Sequence, residues 1–181
     1  MEVGSGVSCY AKRIDILIGE QDMKHDNALR EHVLYLLDGE GAHAGFEKTV
    51  KAMPFELQGK RPANLPHSPW ELLEHMRIAQ WDILEYTRDA AHASPKFPDG
   101  YWPKDPAPPD ERAWHKSVQE FRADLKAMAA IVADESNDLL APIPHTEGKS
   151  ILREALVLAD HNSYHLGQLV LVRRLLGAWN D

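Results

Sequence analysis

His161 and His165 stand four residues apart in Asp160-His161-Asn162-Ser163-Tyr164-His165-Leu166-Gly167-Gln168, inside a long segment whose apolar residues recur at helical spacing. At i and i+4 two imidazoles leave the same face of a helix, so both can point a nitrogen at one metal ion. A helix rarely supplies more than two ligands. A third donor is on offer in Trp70-Glu71-Leu72-Leu73-Glu74-His75, part of a second amphipathic stretch. Ten histidines in 181 residues also give such spacings by chance. A half-buried histidine bonded to a backbone carbonyl would look the same in sequence. What separates the readings is whether the helices carrying these residues bring them to one level.

The pattern predicts four long helices and no strand-period segment that competes with them, so the fold class is all-α. Helix 1 begins near Asp26 or Asn27 and carries Leu29, Val33, Leu36 and Leu37. Gly39 and Gly41 interrupt it, and a further turn or more from Ala42 to Met53 ends at Pro54. Helix 2 opens on Ser68-Pro69-Trp70-Glu71, an N-cap serine, a proline at the first helical position and a glutamate at the third, and runs to about Ala90. Six prolines then fall between Pro95 and Pro109, so the segment from His92 to Pro109 should be extended, with Phe97, Tyr101 and Trp102 as aromatic anchors. Helix 3 spans about Asp110 to Ala133. Helix 4 opens near Lys149 or Ser150 and runs to about Leu176, where Gly177 ends it.

These lengths test the metal idea. With helices 2 and 4 antiparallel, His75 lies about 22 Å from the common end, and the midpoint of His161 and His165 about 21 Å. A simple up-down-up-down bundle would leave the levels roughly 10 Å apart. The antiparallel arrangement needs helices 2 and 3 parallel, joined by a crossover of about 34 Å. The proline-rich segment, whose extended reach is about 55 Å, can span it. The expected fold is therefore a four-helix bundle, up-down-down-up, with a long crossover between helices 2 and 3.

Composition narrows the partners. Twenty basic against 28 acidic residues give a net charge of −8, and the basic residues are scattered, which argues against nucleic acid. The single Cys9 makes no internal disulfide and fits a reducing cytoplasm, so a transition metal here is held by nitrogen and oxygen. No apolar run reaches the length of a membrane span. Residues 1–22, with a short strand-like Ile14 to Ile18, are read as an N-terminal extension before a single domain over residues 23–181, and Met23 would serve equally well as a start.

The motifs Pro66-His67-Ser68-Pro69-Trp70-Glu71-Leu72-Leu73-Glu74-His75 and His161-Asn162-Ser163-Tyr164-His165-Leu166-Gly167-Gln168 resemble those of the second and fourth helices of the DinB-like (DinB/YfiT) superfamily. The resemblance covers about Asn27 to Trp179. It implies a divalent metal, zinc or nickel, on His75, His161 and His165, an up-down-down-up bundle and a homodimer. It also implies a small-molecule substrate, with a low-molecular-weight thiol as co-reactant in the family's transferases and maleylpyruvate isomerases.

Three neutral histidines leave an open coordination position, as in catalytic zinc. Such an ion can activate water for hydrolysis or hold a thiolate for transfer or isomerisation. Asn162 stands where zinc proteases place the glutamate of HExxH, which argues against a zincin. Candidate bases or supporting partners are Glu71, Asp82 and Asp160, each of which could equally lie on a solvated helix face. His43, Tyr164, Gln168, Tyr101 and Trp102 could line or cover the site, or simply pack, while His145 has no assigned role. Metal affinity is expected to fall as the histidines protonate near about 6.5. A metal-dependent transferase or isomerase, a hydrolase, and a metal-binding stress-related module without turnover all stay open at this level.

Overall fold

The order Ser68-Pro69-Trp70-Glu71 starts the central helix as its chemistry dictates. The Ser68 hydroxyl accepts from the Glu71 N–H at 3.2 Å, the Glu71 carboxylate accepts from the Ser68 N–H at 2.8 Å, and Pro69 spends no hydrogen-bond donor. This computed structural model describes residues 23–39 and 41–179. The reading of residues 1–22, including Ile14 to Ile18, lies outside them. Helix α1 occupies 23–38, followed by α2 (Phe46–Val50), α3 (Phe55–Gln58), α4 (Pro69–Arg88), a 3-10 turn (Asp99–Tyr101), α5 (Glu111–Ala133) and α6 (Ile151–Leu175). Among the described residues the chain is all-α, with only an isolated bridge between Pro142 and Ser150.

The long helices begin on side-chain caps. The Asp110 carboxylate accepts from the Arg112 and Ala113 N–H groups at 2.8 and 3.0 Å, and Ser150 accepts from Arg153 at 3.3 Å. Past the end of α6, Gly177 takes a φ of +69°, where a side chain would strain the backbone.

Three local expectations change. The stretch from Ala42 to Met53 is not one helix: α2 stops at Val50, Ala52 turns the chain at a φ of +50°, and Pro54 caps α3 instead of only ending what precedes it. Proline suits that place because the first N–H groups of a helix have no intrahelical partner. Leu36 points outward while Val33 and Leu37 carry the buried stripe of α1. In the crossover, Phe97 is 81% exposed, so only Tyr101 and Trp102 anchor it.

Helix α4 packs on both α5 and α6. Leu72, Leu73 and Met76 join Trp114, Val118, Phe121, Leu166 and Leu169 in one core cluster, with Phe46 stacked on Phe121 at 3.9 Å. A second cluster gathers Val33, Leu37, Leu84, Met128, Val132 and Leu158. Polar ties cross the helices: Gln80 Nε2 donates to the Phe121 carbonyl at 2.6 Å, Asn162 Nδ2 donates to Gln80 Oε1 at 2.9 Å, and His145 Nε2 meets the Tyr86 carbonyl at 2.8 Å. His75 and His165 thus start from rigid helices, beside the buried Met76 and Leu166.

Candidate metal centre

Helix α4 contributes His75, and α6 contributes His161 and His165 from adjacent turns of one face, with ring centroids 4.5 Å apart. One ligand nitrogen from each ring can be chosen so that all three lie within 4.8 Å of one another. His75 Nε2 is 3.1 Å from His161 Nε2 and 3.1 Å from His165 Nε2. The three residues that sequence spacing singled out are therefore together.

Their outer nitrogens decide what the inner ones offer. His75 Nδ1 is 2.9 Å from the Tyr101 carbonyl oxygen, which can only accept, so Nδ1 carries the proton and Nε2 a bare lone pair. His165 Nδ1 is 2.7 Å from Gln168 Oε1, and the same assignment follows. Two acceptors then face each other at 3.1 Å across the centre. A cation between them makes that contact favourable. A proton is a poor choice: burial, then the positive charge of neighbouring rings, pushes His161 and His165 down to about 4, and burial also lowers His75. Convergent neutral nitrogens that resist protonation are the donor set a borderline transition metal takes. The residues fit a divalent metal ion.

The crossover forms one wall. Trp102 stacks parallel on His75 at 3.9 Å and on His67 at 4.1 Å, so the two imidazoles lie on opposite faces of the indole. Tyr101 holds this segment down by donating its hydroxyl to Asp82 Oδ2 at 2.6 Å, while His92 Nε2 meets Asp82 Oδ1 at 2.7 Å. Burial and the Asp82 carboxylate push the Tyr101 phenol up to about 12. On the His67 side of Trp102 an open cavity of about 500 Å³ is lined by His67, Glu71, Asp99, Trp102 and Lys104.

The remaining candidates take other places. Glu71 is occupied by the α4 cap and by Arg61; burial works to raise its pKa, but the hydrogen bonds of Arg61 and Ser68 prevail and hold it below the usual range. Asp82 pins the crossover. Asp160 is exposed, Tyr164 presents its ring to the edge of His165 at 4.9 Å, and Gln168 orients that same histidine. His43 lies exposed, 3.3 Å from Ser163 Oγ, outside the cluster, and His145 serves the Tyr86 carbonyl. Sequence reasoning missed His67 and His92. Neither has a periodic partner, since one depends on Trp102 in the crossover and the other on Asp82, ten positions earlier.

A sequence model described as the DinB superfamily matches residues 39–169, a span that contains all three histidines. No curated protein and no solved structure matches the chain.

Proposed function

The chain belongs to the DinB superfamily, and on that premise we propose that His75, His161 and His165 bind one divalent ion, zinc or nickel, at the centre of a thiol-dependent transferase or isomerase acting on a small molecule. One observation carries the reading: the Nε2 lone pairs of His75 and His165 face each other at 3.1 Å with their protons committed to Tyr101 and Gln168. An ion held by three neutral imidazoles keeps a coordination position open and supplies Lewis acidity that lowers the pKa of a thiol or water there. The protein's own groups orient the donors and wall the site with Trp102. The histidine cluster includes no carboxylate among the described residues, and Glu71 and Asp82 are engaged elsewhere, so a hydrolase, the second reading, would rest on metal-activated water alone.

The proposal includes an up-down-down-up bundle for residues 23–181. Glu74 with Ser117 and Gln80 with Phe121 run in the same sense along α4 and α5, which supports a parallel pair. His75 with His165, Gln80 with Asn162 and Tyr86 with His145 run in opposite senses, which supports an antiparallel α4 and α6. No helix among the described residues is long and apolar enough to cross a membrane, which accords with a cytoplasmic protein. A homodimer completes the reading, supported by the exposed Leu156, Tyr164, Leu171 and Leu175 on α6. Light scattering should give twice the chain mass, and a monomer at every concentration tested would remove the dimer.

Cobalt(II) tests the centre directly. The full chain should take up one cobalt ion, and N-acetylcysteine should then add a near-ultraviolet sulfur-to-cobalt charge-transfer band. Cobalt uptake with no change on adding the thiol would leave a metalloprotein without the thiol chemistry. No stoichiometric uptake of cobalt, zinc or nickel would end the metal reading.

A further inference from the structure

We infer that Asp82 is a positioning residue of the centre: it fixes Tyr101 by the side-chain hydroxyl, and the main-chain carbonyl of Tyr101 in turn holds the His75 imidazole with Nε2 turned to the metal. This rests on the metal reading above. Among the described residues Asp82 is hydrogen-bonded to Tyr101 and His92 and to none of the three ligands, so its effect on the ion passes through Tyr101.

The spacing along α4 makes the link possible. Asp82 follows His75 by seven residues, so the two side chains leave one face of the helix about 10 Å apart along its axis. Tyr101 spans that interval and is held at both ends. His75 Nδ1 donates to its carbonyl oxygen at 2.9 Å, and its hydroxyl donates to Asp82 Oδ2 at 2.6 Å. One residue of the crossover is thereby stapled across two turns of the helix that carries the ligand.

Neither end of the staple has much slack. In the 3-10 turn the Tyr101 N–H donates to the Pro98 carbonyl at 3.1 Å and the Gly100 N–H to the Lys96 carbonyl at 2.7 Å. The turn closes tightly on Pro95, since a Cβ added at Gly100 would lie 2.8 Å from the Pro95 Cβ. At the other end Asp82 is only 8% exposed, and its second oxygen meets His92 Nε2 at 2.7 Å. A buried carboxylate keeps its donors, because losing one leaves charge without a partner.

The consequence falls on His75. An imidazole turns readily about its outer side-chain bond unless a partner holds it. With the Tyr101 carbonyl in place, the proton stays on Nδ1 and Nε2 faces His161 and His165. Without the Asp82 anchor the carbonyl is free to leave, and with it go the tautomer and the direction of the ring. Trp102, next in the chain, then also loses its fixed place against His75, where it stacks at 3.9 Å.

Zinc and a ¹⁵N-labelled full chain test this. In the metal-free wild type, long-range ¹⁵N–¹H correlation should show a slowly exchanging Nδ1–H on His75. Tyr101→Phe keeps the ring and the main chain and removes only the hydroxyl. It should make that proton exchange fast and weaken zinc binding about 10-fold, the lower end of what loss of an outer partner costs. Asp82→Leu should do the same. Asp82→Asn should restore both to near wild-type behaviour, because its carbonyl accepts from Tyr101 while its amide donates to His92 in the other tautomer. A carboxylate that only anchored the crossover would lower stability to urea in Tyr101→Phe and leave zinc affinity and the His75 proton unmoved. That outcome would overturn the inference while leaving the metal reading intact, and it is readable even if Asp82→Leu does not fold. A wild type that binds no zinc would overturn both.

Discussion

Replacing any one of His75, His161 or His165 by alanine should lower the affinity of the proposed site for zinc by more than about 100-fold, because loss of a donor should exceed the roughly 10- to 100-fold cost of losing a supporting partner. Each ring holds a third of the donor set, and its two helices cannot close over the gap: Leu72, Leu73 and Met76 on α4, with Leu166 and Leu169 on α6, lock the backbones in place. The same rigidity keeps the fold. In the metal-free chain the His75 and His165 replacements also remove the contact of facing acceptors, and the His161 replacement leaves the packed cores untouched, so far-ultraviolet circular dichroism should be unchanged in all three. Competition against a chromophoric chelator reads the affinity. His43→Ala and His145→Ala serve as controls, since both residues lie outside the cluster and should bind zinc as the wild type does. Wild-type affinity in all three ligand variants would remove the assignment.

Much of this centre was legible before any coordinates, and the reason is periodicity. A spacing of four within a helical pattern fixes that His161 and His165 share a face, and the Ser68 cap sets the phase of α4, hence the level of His75. What periodicity cannot carry is the backbone and the irregular chain. The acceptor for His75 Nδ1 is the main-chain carbonyl of Tyr101, 26 residues on, a group every residue possesses. Trp102 was visible as an aromatic in a proline-rich stretch, but its place between His67 and His75 depends on the 3-10 turn at Asp99–Tyr101, which proline content alone did not foretell. Phe97, two residues before that turn, looked like an equal anchor and faces solvent. The Glu71 carboxylate illustrates the converse error. Its role as a capping residue was written in Ser68-Pro69-Trp70-Glu71, and that role already excluded it as a base at the centre.

Acid should destabilise the metal-free protein earlier than carboxylate chemistry would, beginning below about pH 6.5, the ordinary value of a histidine. Burial and the neighbouring rings push His161 and His165 down to about 4 in the folded chain. Between those limits the unfolded chain binds protons that the folded chain refuses, so stability rises with pH and is lost as pH falls. The loss is roughly 1.4 kcal/mol per pH unit for each ring, and it levels off once the folded rings also protonate, near 4. Glu47 and Glu71, held below their usual range, add their own loss only when the pH drops through the carboxylate region. The window from about 6.5 to 5 therefore belongs to the histidines. Urea unfolding of chelator-treated protein at several pH values measures the slope. The double variant His161→Ala, His165→Ala should have a clearly shallower slope in that window, with the remainder from His67 and His75, which burial also lowers, and a slope equal to that of the wild type would show that the replaced rings are not the cause. Zinc opposes the loss, adding about 2.7 kcal/mol at a free concentration 100 times its dissociation constant. Because the buried rings take up protons only near pH 4, proton competition sets in well below the 6.5 that unperturbed histidines suggest. The protein should keep its metal through mildly acidic conditions in which the metal-free chain is already losing its stability.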